Sequence, residues 1–137
     1  MTEKPASERL ATLREMVLVA PFHRWLGLDV IALNDNELIL GMPWREEIVS
    51  NPMIGSAHGG ILSALIDLTG LYAINALGGS ARATADMRVD FHRPATEGPL
   101  RAIGRVVKIG KQISVAETRI EDSQGRLLAS GRGAYVG

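Results

Sequence analysis

The chain contains no cysteine, which excludes disulfides, thiolate nucleophiles and Cys-ligated zinc or iron–sulfur centres, and suits a reducing compartment. It also carries no net charge, since fifteen Lys and Arg offset fifteen Asp and Glu. No overall field favours DNA, RNA or an anionic membrane, so neither nucleic acid nor membrane is an expected partner. No apolar run approaches the ~20 residues that span a bilayer. The opening "MTEKPASERLATLREMVLVA" lacks the basic start, apolar stretch and cleavage site of an export signal. The expectation is a soluble, cytoplasmic protein.

Several catalytic signatures are missing too. Gly104 and Gly110-Lys111 imitate a phosphate-binding loop, but five residues separate the glycines and Gln112 stands where Ser or Thr should meet magnesium. That segment reads as a hairpin turn. No serine sits in a G-x-S-x-G elbow, no dinucleotide fingerprint is present, and His23, His58 and His92 lack zinc-binding spacing. No metal and no cofactor is expected.

What is present is enough apolar material, 46% of 137 residues, for one domain over residues 1–137. Leu10, Leu13, Val17 and Leu18 recur at helical spacing, which predicts an N-terminal helix within residues 1–20, capped by Ser7; "PFHRWLG" then reads as a turn. In "LDVIALNDNELILGMPW" two apolar runs flank a polar turn, a hairpin signal. After the irregular "REEIVSNPMIGSA", the stretch from Gly59 to about Leu77 has no proline and closes on Gly78-Gly79, a natural C-cap. It predicts a helix of roughly 28 Å.

From Ala83 the period falls to two. Ala83, Ala85, Met87, Val89 and Phe91 alternate with Thr84, Asp86, Arg88, Asp90 and His92, as in a half-buried strand, until Pro94. "LRAIGRVVKI", "QISVAETRIE" and "LLASGRGAYV" follow as a three-stranded meander. The order predicts an α+β fold: a long central helix wrapped by an antiparallel sheet of about six strands. A helix apolar nearly all round needs more cover than one sheet supplies, so a homo-oligomer is expected.

The stretch that carries chemistry is "NPMIGSAHGGILSALIDLTGLYAINALGG". Gly59 and Gly60 stand at the helix start, where N–H groups lack intrahelical partners and a ligand can approach closely. They suit an oxyanion site, or simply a tight turn into the helix. Asp67 lies mid-helix among apolar neighbours, a costly place for a carboxylate. It is either catalytic, or solvated, or paired with a cation such as Arg88. Ser63 and Gly70 share its stripe, which reads as a small, polar face. His58 and Asn51 are candidates to orient a substrate carbonyl or a water, or to cap the helix and hold a turn.

"HGGILSALID", the preceding Asn51 and Gly55, and the following "TADMRVDFHRPA" resemble the hotdog-fold acyl-CoA thioesterases of the phenylacetate-degradation (PaaI-like) type, over about residues 25–136. The resemblance implies a dimer, often a dimer of dimers, with active sites at the subunit interface. It assigns Asp67 as the catalytic carboxylate and Gly59 as the N–H that polarises the thioester carbonyl. His58 and Asn51 become supporting polar residues, and Thr84 helps place the nucleophilic water. Strict alternation puts Thr84 on the face of Asp86 and Arg88; a bulge at the strand start would reconcile the two.

The resulting expectation is hydrolysis of a CoA thioester to a carboxylic acid and free CoA. Asp67 acts as general base or as nucleophile. Residues 91–137 hold eight Lys and Arg against four acids, and Arg93, Arg101, Arg105, Lys108 and Lys111 are candidates for the CoA phosphates or for a solvated strand edge. Two alternatives remain at this point: an acyl-CoA binder without turnover, and a hotdog hydratase or dehydratase, which needs a His paired with an acid. With 4% aromatics, nothing chooses aryl over aliphatic acyl groups.

Overall fold

The computed structural model describes residues 6–137; the first five residues of the expected N-terminal helix lie outside the described residues. The first helix, α1, runs Ala6–Val17. Ala6 is already helical, so Ser7 sits inside the first turn rather than capping it. Residues 1–20 do not hold all the helix here, for "PFHRWL" is not a turn but a second short helix, α2, Pro21–Leu26. Pro21 suits a first helical turn, where its missing N–H is not needed. Gly27 ends the helix in the left-handed region at φ 72°. α1 lies against β1, and Leu13, Val17 and Leu26 of the two helices are buried in the core.

Two strands follow as expected, β1 Asp29–Leu33 and β2 Glu37–Met42. Between them and the long helix lie a 3-10 turn, Glu46–Ile48, and a small hairpin of β3 Val49–Asn51 with β4 Ser56–Ala57. This hairpin replaces the expected irregular segment; strands of three and two residues are too short to show a period. The long helix, α3, spans Gly59–Ala76 without a break. Its end is closed by the Gly79 N–H, which donates to the Ile74 carbonyl at 2.9 Å while Gly78 takes φ 101°.

After α3 come β5 Ala83–Phe91, β6 Leu100–Lys108, β7 Ile113–Glu121 and β8 Leu127–Val136. The six long strands form one antiparallel sheet in the order β1-β2-β6-β7-β8-β5. The chain thus crosses the whole sheet through α3, and β5 becomes a free edge. Leu38, Leu40, Met42, Leu100, Ala102, Ile120 and Leu128 point inward and bury Leu62, Leu65, Ile66 and Ala73 of α3. α3 has the length and apolarity of a membrane span, yet it is the core helix around which the sheet curves.

The outer sheet face is charged. Glu37, Arg105, Glu117, Arg132 and Arg88 form one row across five strands. Arg105 and Arg132 both donate to Glu117, at 2.9 and 2.5 Å. Hydrogen bonds from Arg132 and Arg105 hold the Glu117 carboxyl below its usual range.

Candidate active site

Asp67 projects from the middle of α3 towards the start of β5, at the open edge of the sheet. Its carboxylate accepts a hydrogen bond of 2.5 Å from the Thr84 hydroxyl, in the short range of a charge-assisted contact. Strict alternation would have turned Thr84 away. The strand register slips between Thr84 and Asp86, and this bulge lets Thr84 face the helix while Asp86 and Arg88 keep to the outer face. Arg88, the alternative partner, pairs instead with Asp90 at 3.3 Å. Among the described residues no cation pairs with Asp67.

The main chain at Asp67 is pinned as well. The Tyr135 hydroxyl of β8 donates to the Asp67 carbonyl at 2.9 Å. Burial first, and the Asp67 charge second, push the Tyr135 phenol far above its usual range. Tyr135 is 1% exposed, and it fits because of two glycines. A Cβ on Gly70 would stand 2.3 Å from its hydroxyl, and one on Gly133 2.4 Å. Gly70 therefore makes room for a ring rather than lining a polar face, which corrects that expectation. Ser63 is also spent locally, donating to the Gly59 carbonyl at 2.8 Å. Sequence reasoning missed Tyr135; a glycine on each facing element was the signal available.

At the N-terminus of α3, His58 is the N-cap. Its Nδ1 accepts from the Gly60 N–H at 2.7 Å, which leaves the proton on Nε2 in the neutral ring. The Gly59 N–H finds no acceptor among the described residues. Gly59 lines an open concavity of about 340 Å³ together with Leu62, Phe91 and Arg93. His58 meets no carboxylate there, so the His–acid pair of a hydratase is not assembled among the described residues. Asn51 lies in β3, where its side-chain oxygen accepts from the Met53 N–H at 3.1 Å and holds the β3–β4 turn.

The basic candidates separate. Arg93 borders the Gly59 concavity. Arg101 and Arg105 face outward on β6, opposite Glu121 and Glu117. Lys108 and Lys111 lie at the β6–β7 turn, whose Ile109 packs beside Gly79 at the other end of α3.

Gly59 and Asp67 lie on one unbroken helix, eight residues and so about 12 Å of axial rise apart. Within one protomer they cannot serve one reacting carbon, because such contacts need about 3 Å. Both nevertheless open onto the same free strand. Thr84 of β5 meets Asp67, and Phe91, at the far end of β5, meets Gly59.

α3 thus carries an acid half-way along and, at its start, an N–H that finds no acceptor among the described residues. The thioesterase superfamily profile matches residues 54–129. A solved thioesterase-superfamily structure superposes with a TM-score of 0.90 at 44% identity, over 95% of this chain and 98% of that one. The Escherichia coli PaaI protein of the phenylacetic acid degradation operon gives 0.82 at 28%, over 97% of each chain. The Salmonella typhimurium medium/long-chain acyl-CoA thioesterase YigI is 24% identical over 156 residues, 96% of this chain and 95% of that protein. The chain belongs to the thioesterase superfamily and has its α+β hotdog fold.

Proposed function

We propose that the protein is an acyl-CoA thioesterase that hydrolyses a CoA thioester at a site shared between two copies of the chain. The observation that carries this reading is an Asp67 carboxylate held by a hydroxyl and, among the described residues, by no cation, together with a Gly59 N–H that no described residue claims, both beside the edge strand β5. A two-fold axis beside β5 sets Gly59 of one protomer against Asp67 of the other, twice per dimer. Such a dimer also covers the side of α3 that the sheet leaves open.

The thioester oxygen is then held by the Gly59 N–H, where negative charge develops. Asp67 takes a proton from water as the water oxygen bonds to the carbonyl carbon, and the displaced π pair moves to oxygen. Collapse breaks the C–S bond, and the CoA thiolate leaves and is protonated. In the nucleophilic route the Asp67 carboxylate bonds to the carbon first, the C–S bond breaks as the CoA thiolate leaves and is protonated, and water then opens the anhydride to the acid and the regenerated carboxylate. Thr84 fixes the carboxylate in either route. His58 and Asn51 support the loop and cap that present Gly59, and Arg93, which borders the same concavity, supplies a cation for the CoA phosphates, whereas Lys108 and Lys111 lie at the other end of α3.

A thiol-release assay over short, medium, long-chain and phenylacetyl CoA thioesters tests the reading. The expected result is turnover of at least one class, with KM raised in a salt-dependent manner by Arg93→Ala. Folded protein that releases no thiol from any member contradicts it.

A further inference from the structure

Tyr135 and Thr84 are register partners, opposite each other on the paired strands β8 and β5. Both side chains end on one residue of α3: the Thr84 hydroxyl donates to Asp67 Oδ1, and the Tyr135 hydroxyl donates to the Asp67 carbonyl. One cross-strand pair therefore grips the acid by its side chain and by its main chain. The bulge between Thr84 and Asp86 begins at this pair, and Gly70 and Gly133 leave the space that the Tyr135 ring fills. Helix formation needs none of this, because the Asp67 carbonyl already has its place in the unbroken α3. The second donor fixes where the residue stands.

Tyr135 cannot itself meet a substrate, being 1% exposed. Burial first, and the Asp67 charge second, keep its phenol protonated, so its hydroxyl stays a donor at neutral pH. We infer that Tyr135 is a positioning residue for the proposed hydrolysis, which with Thr84 aims Asp67 so that Oδ2, the oxygen without a donor among the described residues, is the atom that acts. This rests on the thioesterase reading and assigns roles within it. With Oδ1 held by Thr84, Oδ2 takes the water proton in the general-base route or bonds to the carbonyl carbon in the nucleophilic one. Without the Tyr135 hydroxyl, α3 is free to shift against β8, and Thr84 no longer meets the carboxylate in one fixed geometry. A misplacement of about 1 Å costs about 10²-fold in rate, and a smaller shift costs less.

The test is a double-mutant cycle in the full chain, with Tyr135→Phe, Thr84→Ala and the two combined. Thiol release is measured on the CoA thioester that the wild type turns over best, with fold and assembly checked by circular dichroism and ultracentrifugation. Tyr135→Phe keeps the ring and leaves the Asp67 carbonyl its helical donor, so the fold should survive. Its kcat should fall about fivefold at unchanged KM, since aim is lost and binding is not. Thr84→Ala should cost about tenfold, and the double variant should cost about tenfold as well, not the product of about fiftyfold, because the second change releases a carboxylate already released. In the free protein the Asp67 Cγ resonance, assigned by comparison with Asp67→Asn, should move in Tyr135→Phe in the same direction as in Thr84→Ala. A lower melting temperature with kcat and the resonance unmoved makes Tyr135 a packing residue and overturns the inference. A raised KM at unchanged kcat overturns it too, as do losses that multiply. If the wild type releases no thiol from any thioester, the thioesterase reading fails, while the resonance still decides whether Tyr135 aims Asp67.

Discussion

Asp67 is held at two points, its carboxylate by Thr84 and its carbonyl by Tyr135, so its position is set by two strands on one side of the sheet. Asp67→Asn preserves the shape and removes the base, and kcat should fall about 10²–10⁴-fold with the fold intact by circular dichroism. Thr84→Ala should cost less, about tenfold, and Thr84→Ser should restore activity because it keeps the hydroxyl. Retention of full kcat in Asp67→Asn would remove Asp67 from the chemistry. Gly70 answers to packing instead. Gly70→Ala drives a methyl into the buried Tyr135 hydroxyl and should destabilise the protein by about 1–3 kcal/mol in denaturant unfolding. In a Tyr135→Phe background the increment should shrink without vanishing, since the hydroxyl at 2.3 Å is gone while the ring carbon at 2.9 Å stays; equal increments in both backgrounds would show that the hydroxyl contact does not matter.

Elements with a clean period were legible in the sequence: α3 with its Gly78-Gly79 close, the β1–β2 hairpin and the meander each lie where spacing put them. Elements shorter than their own period were not, namely α2 and the β3–β4 hairpin. Candidates for the site could be named where one residue carried its own signal, as with a glycine at the start of α3 and an acid among apolar neighbours at Asp67. It was hidden where tertiary contact decided, as with Tyr135, which no local pattern links to Asp67 across 68 positions. Thr84 stood between these cases, because a bulge flips a side chain without leaving a mark in the alternation. The β7–β8 turn offers a test at this scale. Asp122 is buried there, accepting from the Gln124 and Arg126 N–H groups and from the Arg126 guanidinium. Burial alone would raise its carboxyl, and these donors outweigh burial and hold it below its usual value. A depressed carboxyl stabilises the fold above its unfolded value near pH 4 and loses that stabilisation as pH falls further. Asp122→Asn should therefore melt below wild type at pH 7, with the gap closing towards pH 3. A gap independent of pH would show that the charge does not matter.

For the whole molecule, the long axis of α3 makes the central demand, since it holds Gly59 and Asp67 about 12 Å apart while both meet residues of the free edge strand β5. The proposed site made by two chains answers that demand, and it can be measured directly. Asp67→Asn and Gly59→Pro are each expected to be inactive. Proline suits a helix start and deletes the N–H, and the side chain it meets is the exposed Phe91 ring rather than the buried core. The two variants are unfolded together in equal amounts and refolded, with folding and subunit exchange verified. About half of the dimers are then mixed, and each mixed dimer holds one doubly damaged site and one intact site. About a quarter of wild-type activity should return. Well-folded, fully exchanged dimers that stay inactive would contradict it, because residues acting within one chain leave every site broken.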